Sequence, residues 1–223
     1  MSARREGPPK LRLLCLHGYR QNAGSFWARS GALRKALRGR AELLSLDAPH
    51  VIVAQPGEAA PDPPEADGRG WWFSGPEGTT FHALEEAASC TGLEESLEAV
   101  AKAFLEQGPL DGLLGFSQGA ALGGILCALK QRGDPRFPFG FAILVAGFKS
   151  RAADHHGYYQ EPICVPSLHV VGETDQVIPA RMSRELASQF TDPVTLSHPG
   201  GHFLPASAPQ KNAYLEFLDQ FVK

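Results

Sequence analysis

No stretch of this sequence reaches the roughly 18 consecutive apolar residues that would suggest a membrane-spanning helix. The apolar run near the start, Leu11 to Leu16, is short and is interrupted by Arg12. It cannot serve as the hydrophobic region of a secretory signal and reads as a first β-strand. Cysteine is scarce: Cys15, Cys90, Cys127 and Cys164 are the four present, none in a C-x-x-C pair. Free thiols in a reducing, cytoplasmic compartment are therefore expected. Cys15 and Cys127 lie in apolar runs and should be core residues. Cys90 stands just before a predicted helix start, a place that can lower a thiol's pKa, although an ordinary thiol is the simpler reading. Positive charge is not in excess either, with 21 Lys and Arg against 24 Asp and Glu. That balance excludes the phosphate-neutralising surface of a nucleic-acid binder. H-E-x-x-H, a P-loop and G-x-G-x-x-G are all missing, so no metal, nucleotide or other cofactor is expected. His155-His156 lack a third ligand at metal-like spacing and read as part of a solvated loop.

What is present is enough apolar sequence, 43% over 223 residues, for one sizeable core, so a single domain spanning 1–223 is expected. Continuous apolar runs suit strands covered on both faces. They occur at Leu11–Leu16, Leu43–Leu46, Leu113–Phe116, Phe141–Ala146, Leu168–Val171 and Val194–Ser197. Helical patterns alternate with them at Ser25–Leu37, Leu93–Gln107, Gln118–Gln131, Ala180–Gln189 and Pro209–Phe221. Thr91-Gly92-Leu93-Glu94 has the spelling of a capping box for the second helix. This alternation predicts an α/β fold with a mostly parallel sheet of about six strands flanked by helices. Two stretches break the pattern. Residues 54–70 carry four prolines and four acidic residues before Arg69, and residues 148–164 are irregular. Both follow strands and should emerge at the carboxyl edge of the sheet, where α/β folds place their sites.

Residues 115–119 read Gly-Phe-Ser-Gln-Gly. With 24 glycines in the chain, a chance Gly-x-Ser-x-Gly is expected about 0.2 times, so the motif alone is weak. Its setting sharpens it: an apolar strand enters and a helix-compatible segment leaves, as a nucleophile elbow requires. Bulky side chains two residues either side of such a tight turn would clash, which Gly115 and Gly119 avoid. Ser117 would stand at the tip beside a helix N-terminus that favours negative charge.

A nucleophilic serine needs a base, and the base needs an orienting acid. On this fold type they follow in the order Ser, acid, His. Asp175 lies on the loop after Leu168–Val171, and Glu173 is its competitor; Asp175 suits the position better, closer to the next helix. His169 precedes the acid and lies within a strand. His202 follows Gly200-Gly201, which let the chain turn back toward the elbow; His198, directly after a strand, is the alternative base. Backbone amides of Gln118 and of Tyr19, in the Gly18 turn after the first strand, are the candidate oxyanion donors. Trp71 and Trp72 cannot point the same way in an extended segment. Either one faces the core and the other a substrate pocket, or both are core-edge aromatics. Phe73, Phe148 and Phe203 are further candidates for an apolar pocket wall.

Taken together, LHGYRQN, RGWWFS, GFSQGAAL, HVVGETDQVIP and GGHFLP resemble the fungal-type serine hydrolase family over residues 11 to 221. The resemblance implies an α/β-hydrolase fold lacking the two leading strands. It also implies hydrolysis of carboxylic esters, small or lipid-like, including long alkyl or acyl chains, with Ser117, Asp175 and His202 as triad. An acyl-protein thioesterase could be built from the same parts, and a catalytically silent ligand-binding relative is a further alternative, since fold alone does not prove activity.

Overall fold

The computed structural model of the chain describes residues 10–53 and 67–222. Most of the proline-rich stretch expected as an insert, 54–66, lies outside the described residues. In chain order the elements are β1 (Leu11–Leu16), α1 (Ala23–Arg29), α2 (Gly31–Leu37), β2 (Ala41–Leu46), β3 (His50–Val51), β4 (Arg69–Gly70), α3 (Leu93–Gln107), β5 (Gly112–Phe116), α4 (Gln118–Gln131), β6 (Phe141–Val145), a 3-10 helix (Ala153–Tyr159), β7 (Ser167–Gly172), α5 (Ala180–Ala187), β8 (Val194–His198) and α6 (Ala208–Asp219).

Six strands form one sheet in the order β2-β1-β5-β6-β7-β8, and every neighbouring pair is parallel. All carboxyl ends therefore share one edge. Every residue of β5 and β6 is buried, as the continuous apolar runs require of central strands with helices on both faces. The edge strand β8 is exposed along most of its length and reads as Val-Thr-Leu-Ser-His rather than as a continuous apolar run. β3 and β4 make a separate antiparallel ribbon. It ties the segment that leads into Trp71 to the chain just after β2.

The expected helix Ser25–Leu37 is two helices. The first closes with the Ser30 amide on Phe26 carbonyl, and the second opens with the Arg34 amide on Ser30 carbonyl. Ser30-Gly31 is a pair of weak helix formers at the junction. Leu33 and Leu37 are buried one turn apart, as their spacing predicted. The expected capping box at Thr91 is absent. Both backbone groups of Thr91 are taken by Phe73 at 2.9 Å, and the N-cap is Gly92 at φ +93. A side chain there would be strained and would strike the His50 ring. A true capping box opens α1 instead, with Asn22 and Ser25 exchanging side-chain bonds.

The 148–164 stretch is pinned to the body by the Ala87–Ala152 bridge. His155 is not in a solvated loop. It is buried, with Nδ1 at 2.6 Å from Ser150 Oγ and Nε2 at 2.7 Å from Cys90 Sγ, and only His156 is exposed. Burial, with Asp154 nearby, pushes the Cys90 thiol up to about 11, so its place near a helix start does not activate it. Cys15 and Cys127 are core residues, and all four cysteines are unpaired. Among the described residues, no helix is long and apolar enough to cross a membrane.

Candidate active site

β5 ends at Phe116 and α4 begins at Gln118, leaving Ser117 alone in the turn. Its φ of +54 and ψ of −118 are unusual for a residue with a Cβ, and such strain persists only where the surroundings enforce it. The enforcement is visible on both sides. The Ser117 amide continues the sheet ladder to Val145 carbonyl at 3.0 Å, and its own carbonyl accepts from the Ala120 and Ala121 amides. The flanking glycines are obligatory at this spacing. A Cβ on Gly115 would lie 2.5 Å from Gly119 carbonyl, and one on Gly119 would lie 2.1 Å from Leu16 carbonyl. The elbow thus presses α4 directly onto the end of β1.

That contact brings the loop after β1 to the serine. A Cβ on Gly18 would sit 3.3 Å from Ser117 Cβ. The loop is braced from within: Gly18 amide donates to Gln21 Oε1 at 2.8 Å. Preceding it, His17 is buried, with Nδ1 donating to Gly18 carbonyl at 2.8 Å and Nε2 accepting from the Ala48 amide at 3.0 Å. Two different backbone partners select one neutral tautomer. Burial pushes the His17 pKa down to about 4, against the opposing effect of its bond to Gly18.

The loops after β7 and β8 meet at the same edge. Asp175 Oδ2 accepts from His202 Nδ1 at 2.7 Å, while Oδ1 accepts from the Val177 and Ile178 amides, both at 2.8 Å. Burial raises this carboxyl's pKa, but the His202 bond and the two amides outweigh it and keep the group below its ordinary value. The Asp175 contact occupies Nδ1 of His202 and leaves Nε2 to face other partners. The His202 ring rests on Phe116, the residue before Ser117, at 4.7 Å between centroids. Ser117 and His202 line one open cleft of about 520 Å³. A larger hollow of about 600 Å³ lies beside Phe104, Leu105 and Pro138 and contains none of these groups.

The two competing residues go elsewhere. Glu173 is exposed and pairs with Arg184. His198 is buried, accepts from the Gly200 amide at 3.2 Å and carries Phe203 edge-on at 5.1 Å. His169 is a buried sheet residue bonded to Ser167 Oγ. Of the expected oxyanion donors, Tyr19 lines the cleft, and Gln118 occupies the first turn of α4, where helix amides lack intrahelical acceptors.

The aromatic wall differs from expectation. Trp71 and Trp72 have no exposed surface and Phe148 almost none, and none of the three lines the cleft; Phe203 lies on His198 and half faces solvent. Both tryptophans are core-edge aromatics because the β3–β4 ribbon draws their backbone against α4 rather than over the serine. The apolar lining comes from Phe81, Ala83, Leu84, Val177 and Ile178. Phe81 is backed by Tyr19, Trp72 and Phe148, at 5.2, 5.6 and 6.0 Å between centroids. Nothing in Phe81-His82-Ala83-Leu84-Glu85 marks it locally. It has neither helical nor strand periodicity, and only its position over the sheet edge gives it a role.

Residues 5–214 match the family model described as Serine hydrolase (FSH1). The chain is 62% identical over 215 residues to Esterase OVCA2 of Xenopus tropicalis, covering 95% of this chain and 94% of that one. It is 56% identical over 221 residues to Esterase OVCA2 of Homo sapiens, covering 96% and 97%. Among solved structures, Zea mays acyl-protein thioesterase 2 superposes with a TM-score of 0.63 at 18% identity, over 97% of each chain, a likeness of fold alone.

Proposed function

The chain belongs to the serine hydrolase (FSH1) family and is a hydrolase, and from that premise we propose that it cleaves carboxylic esters through Ser117, His202 and Asp175. The observation that carries this reading is the 2.7 Å bond between Asp175 and His202, on a histidine that opens into the same cleft as the strained Ser117.

Ser117 Oγ attacks the ester carbonyl while His202 Nε2 takes its proton. Asp175 keeps the imidazole in the Nδ1–H tautomer and stabilises the imidazolium that forms. The carbonyl oxygen becomes an oxyanion, which the Gln118 and Tyr19 amides receive. The tetrahedral adduct collapses as His202 returns the proton to the departing alcohol, leaving an acyl-serine. Water activated by the same histidine then releases the acid and restores Ser117. Every proton in the cycle is carried by His202, so the scheme calls for no cofactor. The cleft's apolar lining favours esters with a hydrocarbon chain, the substrate class that the family resemblance implies.

A fluorophosphonate probe tests the assignment. Wild type should be labelled at Ser117, Ser117→Ala should not be labelled, and ester turnover in that variant should fall by several orders of magnitude with the fold intact. Persistent labelling of Ser117→Ala contradicts the assignment. Matched oxoesters and thioesters, compared by kcat/KM, decide the bond class; a large preference for thioesters would replace the esterase reading.

A further inference from the structure

The paired tryptophans, absent from the cleft, have a different place in the site. Arg69, two residues before Trp71, is laced to the loop after β1: the Arg20 amide donates to Arg69 carbonyl at 2.9 Å and the Arg69 amide to Gln21 carbonyl at 2.8 Å. Trp71 Nε1 then donates to His17 carbonyl at 2.7 Å. On its other side the same residue holds the elbow. The Trp71 amide donates to Gln118 Oε1 at 2.9 Å, and Gln118 Nε2 donates to Trp72 carbonyl at 2.8 Å. One backbone donor and one backbone acceptor fix the orientation of the Gln118 amide, because a flipped amide would oppose like groups at both contacts. The Trp71 carbonyl is taken by Ser96 Oγ at 2.5 Å. Trp71 and Gln118 are both completely buried, so water cannot substitute for any lost partner.

We propose that Trp71 and Gln118 are positioning residues: the Trp71 side chain and the Gln118 carboxamide together fix the two backbone amides of the oxyanion site, those of Tyr19 and Gln118, relative to each other. The proposal rests on the ester-hydrolase reading of the cleft. The two amides belong to segments about a hundred residues apart in sequence, and Trp71 is hydrogen-bonded to each segment, at the His17 carbonyl and at the Gln118 side chain. His17 carries the other half of the brace, with a single neutral tautomer bonded to Gly18 and Ala48. Donors for an oxyanion act through preorganisation, and a misplacement of about 1 Å can cost about 100-fold in rate. The side chain of Gln118 would thus serve the reaction without touching substrate, while its backbone amide does.

Trp72 supplies a volume-matched comparison, although its ring also backs Phe81 in the cleft wall. Its ring is as buried as that of Trp71, yet its Nε1 has no hydrogen-bond acceptor among the described residues. Trp71→Phe and Trp72→Phe remove the same volume, but only the first removes a bond to the oxyanion loop. Steady-state kinetics on a soluble p-nitrophenyl ester should show kcat for Trp71→Phe about 10-fold or more below that of Trp72→Phe, with KM within about 2-fold of wild type. Affinity for a trifluoromethyl ketone, which adds to the serine to form a tetrahedral oxyanion, should fall by a similar factor. Gln118→Met, nearly isosteric, should show the same split, and melting temperatures identify any variant that fails to fold. Equal kcat losses in the two tryptophan variants, or a lower melting temperature with kcat retained in Trp71→Phe and Gln118→Met, overturn the positioning role. Fluorophosphonate labelling of Ser117 in wild type separates the two ideas. With Ser117 labelled and no split, the positioning role alone falls; with labelling elsewhere, the reading of the cleft falls and this role with it.

Discussion

The Phe81 ring stands edge-on to Trp72, 5.6 Å between centroids and 83° between planes, with Trp72 fully buried and Phe81 facing the cleft. The tryptophan is the support and the phenylalanine the surface. Each methylene of an ester chain buried on that surface should add up to about 0.8 kcal/mol, roughly 4-fold in kcat/KM. A graded ester series should therefore rise with chain length in wild type, and Phe81→Ala should flatten the rise while sparing short esters. A slope unchanged in Phe81→Ala would remove this residue from the substrate wall.

The two candidate bases differ in their partners. His202 bonds to a buried carboxylate, while His198 bonds to a backbone amide and lies under Phe203. His202→Ala should lower kcat nearly as much as Ser117→Ala, on the order of 10⁴-fold or more. His198→Ala should keep turnover within a few-fold and reveal itself in melting temperature. A reversed order of damage would exchange the two roles.

Asp175 and Glu173 stand two residues apart on one loop, but their carboxylates are differently engaged. Asp175→Asn should cost kcat roughly 10⁴-fold, the scale on which an amide that forces the wrong imidazole tautomer acts elsewhere. Glu173→Gln removes an exposed, solvent-screened pair with Arg184 and should leave kcat within about 2-fold. Parallel kinetics on the two variants distinguish an orienting acid from a surface charge.

A methyl group at Gly119 would meet Leu16 carbonyl at 2.1 Å and His17 carbonyl at 2.6 Å. Both are backbone atoms and cannot rotate away. Gly119→Ala should destabilise by about 3 kcal/mol or more and displace the loop after β1, so stability and turnover fall together. Gly39→Ala, with nothing within 4 Å of the added carbon, should leave the melting temperature within a degree or two. Equal stability in the two variants would contradict the close approach of α4 to β1.

His17, His155 and His169 are buried, and burial pushes the pKa of each down to about 4. The unfolded chain, with histidines near 6.5, binds more protons than the folded one between those values. Stability is therefore complete above about pH 6.5 and is lost as pH falls toward about 4, by about 2 kcal/mol per histidine at pH ~5. The melting temperature should drop clearly between pH ~7 and pH ~5 at constant ionic strength. A flat profile would mean that these rings are not held neutral.

How much of this was legible beforehand follows from the range of the interactions involved. Strand and helix alternation is a property of neighbouring residues. All six strands of the main sheet fall within two residues of their expected positions, and the third and fourth helices begin and end at the expected residues. The elbow was legible because a tight turn constrains its own glycines. Closeness to the next helix ranked Asp175 above Glu173, and the Gly200-Gly201 turn ranked His202 above His198, but the hydrogen bond between Asp175 and His202 spans 27 positions and exists only in the fold. Several other contacts had no local signature. Thr91 lost its capping role to Phe73, His155 was drawn from a loop into a buried position against Cys90, itself partly buried, and Phe81 became the cleft surface because Trp72 and Phe148 stand behind it. Trp71 meets Gln118 across 47 positions and His17 across 54. Composition could say that two adjacent tryptophans would be buried or would line a pocket. The choice was made by the β3–β4 ribbon, which lays their backbone against the Gln118 side chain, where it satisfies both a donor and an acceptor.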